Sequence, residues 1–174
     1  MSKTVSPQDL EGGYNWRTDA TITRAGYFDD LASHGLDLFI HLLGDIKEAS
    51  GISLNQQGLY TAKDAVTVCW LHESGITGTG SWNFGCSLRE DTVEIYGSKD
   101  KISFSVFNEE PLVLSNEQGK TELFIAHPEN IQLYHVKNIR EHLLGHSEHP
   151  SAGLAATHTS WVMDKIIGNQ NLHG

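Results

Sequence analysis

The chain is poor in the features that mark several protein classes. It has 2 cysteines and 4 prolines in 174 residues. Cys69 and Cys86 make neither a disulfide framework nor a metal-ligand spacing, so they read as reduced thiols of a cytoplasmic protein. Long apolar runs are missing. The most apolar stretch, Leu36 to Leu43, is broken by Asp37 and His41 and is too short to span a bilayer. The segment Met1 to Pro7 holds no apolar signal region. Positive charge is scarce: Lys and Arg number 12 against 22 Asp and Glu, a net charge of −10. That balance disfavours nucleic acid and anionic membrane as partners, because both select a basic surface.

What is present begins with Gly26 to Gly44. Its apolar residues recur with helical period, and the spacing predicts a helix over 27–43 that ends where Gly44 can take a left-handed conformation. Phe28, Leu31, Ala32, Leu36, Leu38, Phe39, Leu42 and Leu43 form one broad apolar arc. Asp30, His34, Asp37 and His41 line the opposite side, three or four residues apart, close enough to touch. That column is either a solvated face or a site.

After Gly44 the period changes to two. Strands are expected over 46–55, 64–72, 76–84, 91–96, 101–107, 112–114 and 121–126, separated by turns such as Glu73-Ser74-Gly75 and Gly97 to Asp100. Two helices follow, over 131–144 and from Ser151 to about Ile167, the second offering Leu154, Trp161, Val162 and Ile166 to a core. The fold class is therefore α+β: an open, mostly antiparallel β-sheet with three main helices packed on one face. Residues 1–15 read as a flexible N-terminal segment, 16–167 as one domain, and 168–174 as a tail.

Few motifs carry chemistry. His142, His146 and His149 cluster after the second helix, and the 30–41 column mixes carboxylates with imidazoles, yet neither matches a zinc-ligand pattern, so no metal is assigned. A metal hydrolase built on that column is a third, minor reading. Ser33 and His34 are adjacent and point about 100° apart on a helix, which argues against a nucleophile–base pair. Gly78-Thr79-Gly80 lies among β-forming residues with no helix to follow, so it cradles no phosphate. Asp30 and His34, at i and i+4, make a competent acid/base unit, since a carboxylate can orient an imidazole that trades a proton near neutral pH. Trp16-Arg17 reads as an anchor on the core beside a solvent-facing arginine.

The block Gly26-Tyr27-Phe28-Asp29-Asp30-Leu31-Ala32-Ser33-His34-Gly35-Leu36-Asp37, with Leu42-Leu43-Gly44 after it, resembles the substrate-domain signature of the Gfo/Idh/MocA oxidoreductases. Trp16-Arg17, Gly78 to Trp82, Arg89 to Ile95, Lys101 to Phe104, Pro150 to Gly153 and Trp161 to Asp164 extend the resemblance over almost the whole of 16–167. It implies the C-terminal, substrate and oligomerisation domain of an NAD(P)-dependent oxidoreductase of sugars, polyols or related hydroxy and keto compounds. The N-terminal Rossmann domain, with its glycine fingerprint and Glu-Lys-Pro lysine, is absent from this sequence, and Met1 is expected to open an excised fragment, with a naturally truncated gene as the alternative. Under the resemblance, His34 is the general acid/base and Asp30 the carboxylate that binds substrate hydroxyls. Trp16 and Arg17 are the pair that reaches NAD or NADP, with an anchoring role as the alternative. The isolated chain is expected to bind no cofactor and to show no redox turnover. Its expected partners are the Rossmann domain, a small sugar or polyol, and further copies of itself through the sheet.

Two departures stand out. The glycine run before the helix is reduced to Arg24-Ala25-Gly26, and Asn130-Ile131-Gln132 stands where relatives bring a tyrosine to the site. A competing reading keeps the chain as a non-catalytic interaction module, pairing through a sheet face that carries Trp70, Trp82, Phe84 and Tyr96.

Overall fold

A computed structural model describes residues 1–3, 5, 10–11 and 14–168. Parts of the expected N-terminal segment (residues 4, 6–9, 12 and 13) and the tail beyond Gly168 lie outside the described residues. The chain forms two compact units, Met1–Glu90 together with the segment from Gly153 onward, and Asp91–Ala152.

The first unit holds helix α1 (Tyr27–Leu43), strands β1 (Ile46–Leu54), β2 (Ala65–His72) and β3 (Thr77–Asn83), and helix α3 (Gly153–Gly168). The strands pair antiparallel in the order β1-β2-β3. Alternation decides the faces: Val66, Val68, Trp70, His72 and Trp82 turn inward and are buried, while Thr67, Cys69, Thr79 and Ser81 turn outward. Helices α1 and α3 share the inner face. Phe28 meets Trp82 edge-on, with ring centroids 5.2 Å apart, and Phe39 stacks on Trp70 at 5.7 Å. Phe28, Leu36, Val162 and Ile166 are fully buried. Each such side chain contributes about 1.5–3 kcal/mol relative to an exposed one.

Three expectations are corrected here. Trp70, Trp82 and Phe84 are core residues at 9%, 7% and 0% exposure, so of the four aromatics expected on a wet face only Tyr96 is exposed. The α1 arc is rotated: Ile40 is buried and Leu42 exposed, because the inward line follows 28, 32, 36 and 39. On α3, Val162 and Ile166 are buried as expected, but Leu154 and Trp161 are exposed.

Glycines make room for the tryptophans. Trp70 lies across Gly78, its partner on β3, and a Cβ there would fall 2.1 Å from the indole; at Gly80 it would fall 2.4 Å from Trp82. The Gly-Thr-Gly stretch is therefore a seat for two indoles. Trp70 Nε1 donates to His72 Nε2 at 3.1 Å, and His72 Nδ1 lies 2.7 Å from the Gly44 carbonyl. The accepting Nε2 puts the ring proton on Nδ1, so the buried imidazole joins the sheet to the end of α1. A register shift at Lys47 leaves the Ile46 N–H to His158 Nε2 of α3, 3.1 Å away.

The second unit holds β4 (Val93–Tyr96), β5 (Lys101–Phe104), β6 (Leu112–Asn116), β7 (Gly119–Leu123) and helix α2 (Leu133–Leu143). Its four strands form an antiparallel meander in sequence order. The α+β class and antiparallel pairing are as expected, and the strands come as two hydrogen-bonded sheets of three and four. Helix α2 has no buried residue. No helix among the described residues is long and apolar enough to cross a membrane.

Candidate active site

The first turn of α1 sets the site. Gly26 precedes the helix with φ +59°, and a Cβ there would fall 2.5 Å from the Arg17 carbonyl oxygen. Only glycine accepts both conditions. Gly26 has no side chain to cap the helix, so Asp29 in the first turn takes that role. Its Oδ2 accepts from the Ala25 N–H at 3.0 Å and from the Thr23 hydroxyl, and Thr23 Oγ1 accepts from the Gly26 N–H at 3.1 Å. Adjacent carboxylates thus part company: Asp29 turns back to hold the helix start, and Asp30 projects from its flank.

A short 3₁₀ turn, Trp16–Thr18, lies against this end of α1. Asn15 caps it, its Oδ1 accepting from the Arg17 N–H at 3.1 Å, while its Nδ2 donates to Tyr27 Oη at 3.0 Å. The Thr18 carbonyl accepts from the N–H groups of Thr61 and Ala62 at 3.2 and 3.3 Å. Arg17 Nε donates to Asp30 Oδ2 at 2.7 Å, and its guanidinium carbon lies 4.6 Å from the Trp16 ring centroid. The two charged side chains are 34% and 27% exposed, so solvent screens the pair and it adds about 1 kcal/mol at most.

The structure thus brings Arg17, Trp16 and Asp30 together. His34 is exposed on the next turn of α1. Asp37 accepts from the buried Thr159 hydroxyl of α3 at 3.1 Å, which makes it a tie between helices. Ser33 Oγ donates back to the Asp30 carbonyl at 2.7 Å, an ordinary bond to the preceding turn. His142 and His149 each use Nδ1 to accept a backbone N–H, from His149 and Ser151, and His146 pairs with Glu141. Among the described residues no group of three or more candidate ligands converges on a metal position.

Reading by pattern missed Asn15, Asp29 and Tyr27. Asn15 next to a Trp-Arg pair and a Thr-x-x-Gly entry to the helix were the available signals. It also missed Tyr60, whose ring packs against Tyr27 and whose hydroxyl is buried among the described residues without a hydrogen-bond partner. Burial, reinforced by the nearby Asp64 carboxylate, raises its pKa well above the ordinary tyrosine value. Gly78 and Gly80 are filled by indoles and the Arg17 Nε is held by Asp30.

Comparison with known proteins gives four results. The sequence model of the GFO/IDH/MocA C-terminal domain matches residues 3–103. Oxidoreductase P35 of Formosa agariphila is 28% identical over 155 residues, covering 88% of this chain and 47% of that protein. A levoglucosan dehydrogenase solved with NADH superimposes with TM-score 0.76 at 15% identity, over 96% of this chain and 54% of that one. An oxidoreductase from Agrobacterium radiobacter, solved with NAD+, L-tartaric acid and magnesium, gives TM-score 0.75 at 19% identity, over 95% and 52%. The chain spans about half the length of these relatives.

Proposed function

Because this chain belongs to the GFO/IDH/MocA C-terminal domain family, matching over more than half its length, we propose that it is the substrate-handling half of an NAD(P)-dependent oxidoreductase acting on a sugar, polyol or related hydroxy or keto compound. The observation behind this reading is the flank of α1. Asp30, half-buried and gripped by Arg17, stands one helical turn from the exposed imidazole of His34. In this reading Asp30 accepts a hydrogen bond from a substrate hydroxyl. His34 takes or returns the proton of the oxygen whose carbon is oxidised or reduced. The redox cofactor belongs to a Rossmann half, and this chain's part is confined to the substrate and its proton. In this reading Trp16 and Arg17, beside Asp30, are the residues that approach that partner.

The test is kinetic. In the complete oxidoreductase, His34→Ala should lower kcat about 10²–10⁴-fold with little change in KM. Near-normal turnover would return the α1 flank to the solvated faces. The isolated chain should show no saturable heat with NADH or NADPH by calorimetry.

A second role is compatible with the first. The outward rows Ser50–Cys69–Thr79 and Ile52–Thr67–Ser81 of β1–β3 are in register, exposed and uncharged. Such a flat face suits packing against a second copy of the chain. Sedimentation should then show a self-associated species that Thr67→Arg dissociates.

A further inference from the structure

We infer that Arg17 is the positioning residue of this site, fixing the orientation in which Asp30 meets a ligand. This rests on the reading of Asp30 as a ligand-binding carboxylate. A carboxylate on a helix flank ordinarily samples several rotamers. Here one of its oxygens, Oδ2, is taken by Arg17 Nε at 2.7 Å. Among the described residues no donor is bonded to Oδ1, so the same contact that uses one oxygen presents the other.

The guanidinium can do this because its backbone is held from three sides. Asn15 caps the 3₁₀ turn and ties it to Tyr27 of α1. The Arg17 carbonyl oxygen packs against Gly26, 2.5 Å from where a Cβ would stand. The Thr18 carbonyl is bonded by Thr61 and Ala62. Trp16 then supports the planar group from its face. So many restraints converging on a screened, partly exposed ion pair point to orientation rather than stability. Lysine cannot replace it: an ammonium is a point charge on a flexible stem, with no Nε–H fixed at the fork of a plane.

The experiment is NMR on the full 174-residue chain. Wild type should show a slowly exchanging Arg17 Nε–H and a single Asp30 χ1 rotamer. In both Arg17→Met and Arg17→Lys, Asp30 should average between rotamers while the β1–β3 amides and the unfolding midpoint stay in place. Amide shifts of residues 30–34 on titration with levoglucosan should then need about tenfold more ligand than in wild type, the loss of about one oriented hydrogen bond. A single Asp30 rotamer in Arg17→Met, or full recovery in Arg17→Lys, overturns the proposal. If Asp30 is released as expected but neither levoglucosan nor L-sorbose perturbs the wild-type site, Arg17's hold on Asp30 stands and the functional reading of the site is what fails.

Discussion

Asp29 and Asp30 are neighbours in sequence, yet their replacement should have opposite consequences. Asp29 Oδ2 accepts from the Ala25 N–H and the Thr23 hydroxyl, both of which belong to buried residues. Asp29→Ala leaves two buried donors unpaired and removes the side-chain cap that Asp29 supplies at the start of α1. A lost cap costs about 0.5–2 kcal/mol, and each unsatisfied buried donor about 1–3 kcal/mol. Alanine returns about 0.5 kcal/mol of helix propensity. The cap and the unpaired donors are the same lost contacts and do not add, so the net loss expected is about 2–4 kcal/mol, or roughly 8–16 °C in Tm at about 4 °C per kcal/mol. Asp30→Ala removes only a screened pair with Arg17, at a cost of about 1 kcal/mol or less. Thermal unfolding followed by circular dichroism separates the two. Asp29→Ala should melt far below wild type, whereas Asp30→Ala should melt within about 4 °C of it. Asp29→Asn, which keeps an acceptor, should fall between. An Asp30→Ala protein that melts as low as Asp29→Ala would refute the division of labour, because Asp30 would then be a structural carboxylate.

Three further outcomes follow from the packing and the charges. Gly78→Ala drives a Cβ into the Trp70 indole, so urea denaturation should show a loss of about 1–3 kcal/mol, with a change in tryptophan fluorescence in the folded state. His72→Phe keeps the ring but leaves the Trp70 indole N–H without its acceptor, and the same assay should give about 1–3 kcal/mol. On the β4–β5 hairpin, the Lys101 ammonium and then the Tyr96 hydroxyl hold the Glu94 carboxyl below the ordinary glutamate range, while bonding to Glu94 raises Lys101. The Glu94 contribution is present above its unfolded-state value and lost as pH falls through the lower folded one. That of Lys101 is present below its unfolded-state value and lost as pH rises through the higher folded one. A carbon-detected titration should find Glu94 low in wild type and moved upward in Lys101→Met; an unchanged midpoint would deny the pair.

Much of the fold was legible in order along the chain. The bounds of α1, the two-residue period after Gly44 and the turns between strands are local properties, set by side-chain spacing and by glycine, and they need no partner to be read. The α1 flank was legible too, since Asp30 and His34 must share a side of any helix that buries Phe28, Leu36 and Phe39. Which aromatics faced inward was not legible. Trp70 is buried because Gly78 leaves space for its ring, and that complementarity exists only once β2 and β3 are in register.

The site divides the same way. Sequence alone determined that a carboxylate and an imidazole stand one turn apart on an amphipathic helix, because helical geometry dictates it whatever surrounds them. It could not distinguish Asp29 from Asp30, or say whether Arg17 served solvent, cofactor or neighbour. Tertiary structure separated the two carboxylates and paired Arg17 with Asp30. The chain before Gly26 folds back on the helix start, so Thr23 and Ala25 claim Asp29 while Asn15, Tyr27 and the close approach at Gly26 deliver Arg17 to Asp30. Hydrogen bonds between residues distant along the chain depend on where the backbone returns, and no local period records that.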